Sequence, residues 1–319
     1  MHKATIEAEL AMETSFQLPR SGRRVLISRN PKAGARSGVP AVERLSELLA
    51  SEGYQVESLT DVDELSARAE QLLRNGDLRC VVSAGGDGTV ALLANRLAPE
   101  TPIAVLPLGT ENLLSKHLRM KGSPGEVCRM ISHGRVERFD AGRAGRQIFL
   151  LMAGCGFDAD VVRRLHTERT GHIRHLSYAK PIWDSIHNYR YPELRVHCEI
   201  PASESHAARS MSITARWAFI VNLPRYAGGL QIAPQATGHD GLLDVCTFKN
   251  GSFWSGLRYL SGIILRQHAS WQDCVSVRAS KIRIESDEPV PLQLDGDPGG
   301  YVPTEIDVLP SRLTLLVPS

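Results

Sequence analysis

The chain has 319 residues, 42% of them hydrophobic and 23% charged, with a formal net charge of +2. That length accommodates two domains, and the composition is that of a globular protein. The near-neutral balance argues against a polybasic nucleic-acid binder, so no nucleic-acid partner is expected. Residues 1–22 are mixed and polar, without the apolar core of a signal peptide, and read as a flexible tail. From residue 23 strands and helices alternate. "RRVLIS" (23–28) is an apolar strand, and 38–53 places Val39, Val42, Leu45, Leu48 and Leu49 at helical spacing before Gly53. A strand at 54–59 precedes a second amphipathic helix at 61–76, closed by a glycine. "RCVVSA" (79–84) is a third strand, 89–98 a helix, and 102–109 a fourth strand. A helix at 123–134 opens with Ser123 as cap, Pro124 at its first position and Glu126 three residues after the cap. This alternation predicts a parallel sheet covered on both faces.

Beyond about residue 135 the pattern changes. Residues 135–145 and 146–156 read as strands joined by a turn, and 158–188 as one helical stretch. Strands are predicted at 193–200, 215–223, 241–248, 274–286, 290–297, 305–309 and 312–318, with one helix at 252–269 and an exposed loop at 201–210. The expected fold is therefore an α/β N-terminal domain with a parallel sheet (23–140), a β-rich, sandwich-like domain (141–303), and a C-terminal strand (304–319) that returns to the first domain. No window approaches about 18 continuous apolar residues, so no membrane span is expected. Six cysteines (Cys80, Cys128, Cys155, Cys198, Cys246, Cys274) lack a C-x-x-C pair and read as buried free thiols in a reducing compartment.

The stretch "VVSAGGDGTVALLA" (81–94) carries the first chemistry: a strand that ends in a turn of Gly85, Gly86, Asp87, Gly88 and Thr89 and opens a helix. In an open parallel sheet ligands bind beyond the carboxyl ends of the strands. Glycines admit a phosphate close to backbone N–H groups, and a helix N-terminus favours the anion. Asp87 is a candidate magnesium ligand, direct or through water, because hard cations take oxygen donors; the alternative is a tight turn only. "SRNPKAG" (28–34) and "PLGTENLLSKHL" (107–118) also follow strands, so Asn30, Asp87, Thr89, Thr110 and Asn112 are expected to converge on one rim. Neither a G-x-G-x-x-G nor a G-x-x-x-x-G-K-[ST] motif is present there.

The sequence resembles the diacylglycerol kinase catalytic-domain family, particularly its bacterial lipid kinases, which are related to sphingosine kinases and more distantly to NAD kinases. The matching segments are "NPKAG", "GGDGT" (85–89), "PLGTEN" (107–112), "GCGFDA" (154–159), "DGLLDV" (240–245) and "LDGDP" (294–298). The late elements favour the lipid branch. The resemblance implies an ATP- and magnesium-dependent lipid kinase acting on a diacylglycerol-like hydroxyl, with nucleotide bound in a cleft between the domains. Nucleotide contacts are expected from Asn30, Pro31, Lys32, Thr60, the turn around Gly85, Gly86, Asp87, Gly88 and Thr89, and Thr110 and Asn112. The family's magnesium position maps to Thr237, Asp240 and Leu242, partly through backbone oxygens. Its proton acceptor maps to Asp297, where the family usually has glutamate, and "TEN" stands for the commoner "TGN".

Each of these residues also has a plainer reading. Asp297 in "DGDPGG" has the alternative of a turn former, Asp295 reads as an orienter of that turn or a partner in proton acceptance, and Asp240 has the alternative of a hairpin residue. His166, His172 and His175 lack zinc-helix spacing and read as solvated surface. The helix at 252–269 reads as core packing or as an interfacial surface that receives lipid. The rival functions are a kinase for NAD or another non-lipid alcohol, and a non-catalytic nucleotide- or lipid-binding regulator. A cytoplasmic protein, peripheral at the membrane, is expected.

Overall fold

The structure is a computed structural model that describes residues 15–19, 21–29, 38–167, 179–202, 206–226 and 229–318. It divides into two compact units, one of residues 1–140 and 310–319, the other of residues 141–309.

The first unit contains β1 (Ser15–Gln17), β2 (Arg24–Arg29), α1 (Gly38–Ser51), β3 (Gln55–Leu59), α2 (Val62–Arg74), β4 (Leu78–Gly85), α3 (Asp87–Ala94), β5 (Pro102–Pro107), α4 (Leu113–His117), α5 (Pro124–His133) and the start of β6 (Arg135–Ala144). Strands β2, β3, β4 and β5 are parallel, in the order β5-β4-β2-β3. Every residue of β4 is buried, as a parallel strand covered on both faces requires. Val25, Ile27, Cys80, Val82 and Ala84 point to one face and pack with α1 and α5 through Val42, Leu45, Leu49, Val127 and Ile131. Leu26 and Val81 alternate to the other face. The caps are local: Asp61 accepts the N–H groups of Asp63 and Glu64 at 2.9 Å, and Ser123 accepts that of Glu126 at 3.3 Å. Part of the stretch read as a tail is ordered, because Ser15–Gln17 pairs antiparallel with Arg135–Glu137.

The second unit contains β7 (Gln147–Phe149), β8 (Met152–Gly156), α6 (Phe157–Thr167), α7 (Ala179–Asn188), β9 (Leu194–Ile200), β10 (Arg209–Ala215), β11 (Trp217–Val221), β12 (Leu243–Phe248), α8 (Phe253–Ile264), β13 (Cys274–Ala279), β14 (Lys281–Glu285), β15 (Pro291–Leu294), β16 (Asp297–Tyr301) and the start of β17 (Thr304–Leu316). One sheet runs β10-β9-β14-β17 and the other β13-β12-β11-β8-β15-β16. Val196, Ile213, Ile282, Ile284 and Ile306 of the first meet Ala153, Ile220, Val245, Leu292 and Leu294 of the second in one buried cluster. This is the sandwich-like domain the strand count implied.

Several boundaries differ from the sequence reading. The loop predicted over 201–210 ends two residues early, where Arg209 and Ser210 open β10, a strand the sequence reading did not place because its "RSMSIT" is mostly exposed and lacks an apolar signature. The strand predicted at 274–286 is two strands in different sheets, turning at Ser280. The segments 305–309 and 312–318 form one strand, β17. The helix predicted over 158–188 is α6 and α7, with residues 168–178 outside the described set. All six cysteines are free thiols, five of them buried.

Candidate active site

In the first unit the parallel register brings the carboxyl ends of β2, β3, β4 and β5 to one rim. Thr60 follows β3, the glycine turn ends β4, and Thr110 and Asn112 follow β5; Thr60 and Thr110 are exposed. Asn30, Pro31 and Lys32 come directly after β2 and lie outside the described residues.

The glycines of the turn answer to close approach. A Cβ on Gly85 would stand 2.2 Å from Thr89 Oγ1, and one on Gly109 would stand 2.6 Å from the Cα of Gly86. The turn after β4 and the loop after β5 therefore touch backbone to backbone. Asp87 stitches them: its carboxylate accepts the N–H of Leu113 at 2.8 Å and of Leu114 at 3.0 Å. Burial raises the Asp87 pKa, and these two hydrogen bonds and Lys116 work against that rise. Thr89 is buried inside the turn. Asn112, at φ +47°, closes its amide on Gly109, accepting that N–H at 3.0 Å and donating to its carbonyl at 2.7 Å. The side chains of Thr89 and Asn112 thus build the rim. Gly86 caps α3 without a side chain, so no side chain competes for the helix N-terminus, the arrangement that suits a phosphate.

In the second unit Asp295, at φ +51°, accepts the N–H groups of Leu150, Leu151 and Met152 at 2.6, 2.8 and 3.0 Å. It anchors the turn between β15 and β16 to the start of β8, which is the turn-orienting alternative. Asp297 opens β16 with its side chain 66% exposed, and its Oδ1 lies 3.2 Å from His166 Nε2. His166 is therefore not a solvated surface histidine: its side chain is 23% exposed and its Nδ1 faces the Val162 carbonyl at 3.3 Å. His172 and His175 lie outside the described residues.

Sequence reasoning missed Asp158, although it sits in "GCGFDA". It accepts hydrogen bonds from the Tyr226 hydroxyl and from Gln293 Nε2, the latter at 2.9 Å. Gln293 in turn accepts the Gly296 N–H at 2.7 Å. Burial pushes the Asp158 pKa up to about 6, against the pull of its two donors. A Cβ on Gly154 would stand 2.3 Å from its Oδ2. The network ends on the turn that carries Asp295 and Asp297.

The expected magnesium residues are divided between the units, with Asp87 in the first and Thr237, Asp240 and Leu242 in the second. Thr237 Oγ1 is buried and has no hydrogen-bond partner among the described residues. Asp240 accepts the Leu242 N–H at 3.1 Å through Oδ1, while its Oδ2 lies 3.2 Å from Arg278 Nη1. The orphaned hydroxyl and the carboxylate are oxygen donors of the type a hard cation such as magnesium takes, with Arg278 as a competing cation on the carboxylate. Among the described residues no group of three or more His, Cys, Asp and Glu side chains could hold a metal, so such a site would depend on neutral oxygens.

Residues 24–144 match the model of the diacylglycerol kinase catalytic domain, and residues 152–317 match that of the YegS C-terminal NAD kinase beta sandwich-like domain. The second match spans more than half of the chain, which belongs to the family of that YegS C-terminal domain, and the first half is similar to the diacylglycerol kinase catalytic domain. A diacylglycerol kinase of Bacillus subtilis (strain 168) is 23% identical over 307 residues, covering 93% of this chain and 97% of that protein. One from Mycobacterium tuberculosis (strain ATCC 25618 / H37Rv) is 28% identical over 302 residues, covering 91% and 93%. A crystal structure titled a diacylglycerol kinase, from Bacillus anthracis str. Sterne, shares the fold with a TM-score of 0.65 at 21% identity, over 94% of this chain and 98% of that one. The family resemblance read from "GGDGT", "DGLLDV" and "LDGDP" is thereby borne out. Family membership makes this chain a kinase-type phosphotransferase; its substrates are a separate question.

Proposed function

We propose that the chain transfers the γ-phosphoryl group of ATP to the hydroxyl of a diacylglycerol-like lipid. The observation that carries this reading is the stitched glycine rim, where two backbone loops meet and the N-terminus of α3 takes no side-chain cap. Phosphoryl transfer asks for positioning and charge stabilisation above all. The rim of the first unit holds the phosphates through backbone N–H groups. Asp297 of the second unit accepts the proton as the lipid oxygen bonds to phosphorus, the bond to the bridging oxygen breaks and ADP leaves. Thr237, Asp240 and the Leu242 carbonyl would hold magnesium, which would supply neutralisation of phosphate charge.

The acceptor reaches the protein from a lipid surface. Among the described residues no helix is long and apolar enough to cross a membrane. On α8 and just after it, Trp254 is 74% exposed, and Ile264 and Leu265 are each 63% exposed. Arg258 is paired with Asp273 at 2.6 Å, which leaves Arg266 as the positive charge beside Ile264 and Leu265 that complements an anionic bilayer. We assign this face to peripheral contact with the membrane.

The test is incubation of the purified chain with radiolabelled ATP and magnesium, offered a lipid extract, diacylglycerol and NAD in parallel. Label in the lipid phase, lost on chelation of magnesium, is the expected result. Label in NAD overturns the lipid acceptor, and stoichiometric ATP binding with no labelled product overturns the transfer reaction.

A further inference from the structure

We propose that His166 is a positioning residue for Asp297. It holds one carboxylate oxygen so that the other faces the acceptor hydroxyl. The inference rests on the kinase reading above, in which Asp297 takes the proton.

An aspartate at the start of an exposed strand has two free torsions, and a general base needs its oxygen within hydrogen-bond reach of one proton. Asp297 is such a side chain, with His166 Nε2 3.2 Å from its Oδ1. The histidine is itself restrained. Its other nitrogen faces the Val162 carbonyl one turn back on the same helix, at 3.3 Å. Both ring nitrogens thus face oxygen acceptors; the neutral ring can donate to one of them at a time, and the cation to both.

The helix that carries His166 is rigidly set. Phe157, at its start, is buried and stacks on Trp217 with ring centroids 4.6 Å apart. Asp160 is buried and accepts from Arg163, Arg164 and Ser185 at 2.7, 2.6 and 2.8 Å. On the other side, Asp295 and the Gln293 link fix the turn before Asp297. A restrained ring beside Asp297 and a fixed turn before it would bias the carboxylate toward one orientation, which is how supporting residues preorganise a base.

The experiment compares His166→Gln, His166→Phe, Asp297→Asn and the double variant His166→Phe/Asp297→Asn. Glutamine keeps a donor near the place of Nε2, and phenylalanine keeps the ring without one. His166→Phe is expected to lower kcat about 10-fold or more with KM for ATP unchanged, since the effect lies in the transfer step. His166→Gln should recover most of that loss. The double variant should be no slower than Asp297→Asn alone, because the two side chains act as a unit. Equal kcat in wild type and His166→Phe, or additive losses, overturns the proposal.

A second readout does not depend on turnover. At fixed pH the 15N signals of the His166 ring should move in Asp297→Asn. Unmoved signals overturn the pairing whatever the chain phosphorylates. Moved signals in a protein that labels no acceptor overturn the kinase reading, and the positioning role falls with it.

Discussion

Asp87 and Asp295 have the same sequence setting, an aspartate beside glycine, and each takes backbone N–H groups from a distant segment. Asp87 receives two from the loop after β5, and Asp295 three from the start of β8. Charge-assisted bonds of this type contribute about 1.5–3 kcal/mol where burial leaves the donors no substitute. Asp87→Asn keeps one acceptor and turns an N–H of its own toward the other donor. It is expected to lower stability by about 1–3 kcal/mol in urea unfolding and to abolish most metal-dependent transfer; unchanged values of both would show that the stitch is dispensable. Asp158 makes a pH prediction. Its folded pKa of about 6 stands above the ordinary carboxylate value of 3.8, so the folded state holds the proton more tightly. The contribution is fully present below about pH 4 and is lost as pH rises through about 6. With one pKa unit worth about 1.36 kcal/mol, the loss is at most about 3 kcal/mol. Wild type measured against Asp158→Asn by urea unfolding from pH 4 to pH 7 should lose ground over that window, and a constant difference would refute it.

At the level of elements, α8 shows how a helix can present apolar side chains outward and stay attached. Asp273 accepts from Arg258 at 2.6 Å, Tyr259 at 2.7 Å and Asn250 at 2.9 Å. Burial raises its pKa, but these donors outweigh that and hold it at about 2. Tyr259 and Ile263 are buried while Trp254, Ile264 and Leu265 face outward. The sequence reading offered core packing and an interfacial face as alternatives, and the helix divides between them. Co-sedimentation with anionic vesicles should fall several-fold for Trp254→Ala and Ile264→Ser, and more steeply in high salt for wild type than for neutral vesicles. Equal sedimentation of wild type and both folded variants would remove this face.

Which features were legible follows from sequence separation. Asp61, Ser123 and the glycines after α1 and α2 act on neighbours within a few residues, so local spacing revealed the helices. The glycine turn was legible as a motif, yet the reason for Gly109 lay in its contact with Gly86 on another loop. The partners of Asp158, Asp295 and His166 lie 68 to 145 residues away in the chain, or 131 by subtraction for His166 and Asp297. No periodicity reports such pairs. Strand β10 was missed because its exposed face is polar, which removes the apolar alternation a strand is read from.

At the scale of the whole molecule, the chain leaves its first unit at Asp140 and re-enters it at Pro310. Strand β17 pairs with β14 at Lys281–Ile284 and, farther along, runs parallel beside β5 at Thr314 and Leu315. Leu313, Leu315, Leu316 and Val317 are buried there. Arg312 donates to the Ala94 and Leu97 carbonyls, the latter at 2.8 Å. Removal of residues 310–319 is therefore expected to destabilise the first unit by several kcal/mol, since each large buried aliphatic side chain contributes about 1.5–3 kcal/mol. The measurement is proteolysis and thermal unfolding of the truncated chain. A melting temperature equal to that of the full chain would show that β5 is adequately covered without β17.

The same path sets an order during synthesis on the ribosome. Strands β2 to β5 emerge early, but their neighbour at the β5 edge emerges only after every residue of the second unit has been made. Until then the nascent chain carries an open parallel edge of the kind that invites pairing with other chains. A ribosome that stalls anywhere within the second unit therefore holds a first unit whose sheet is still incomplete.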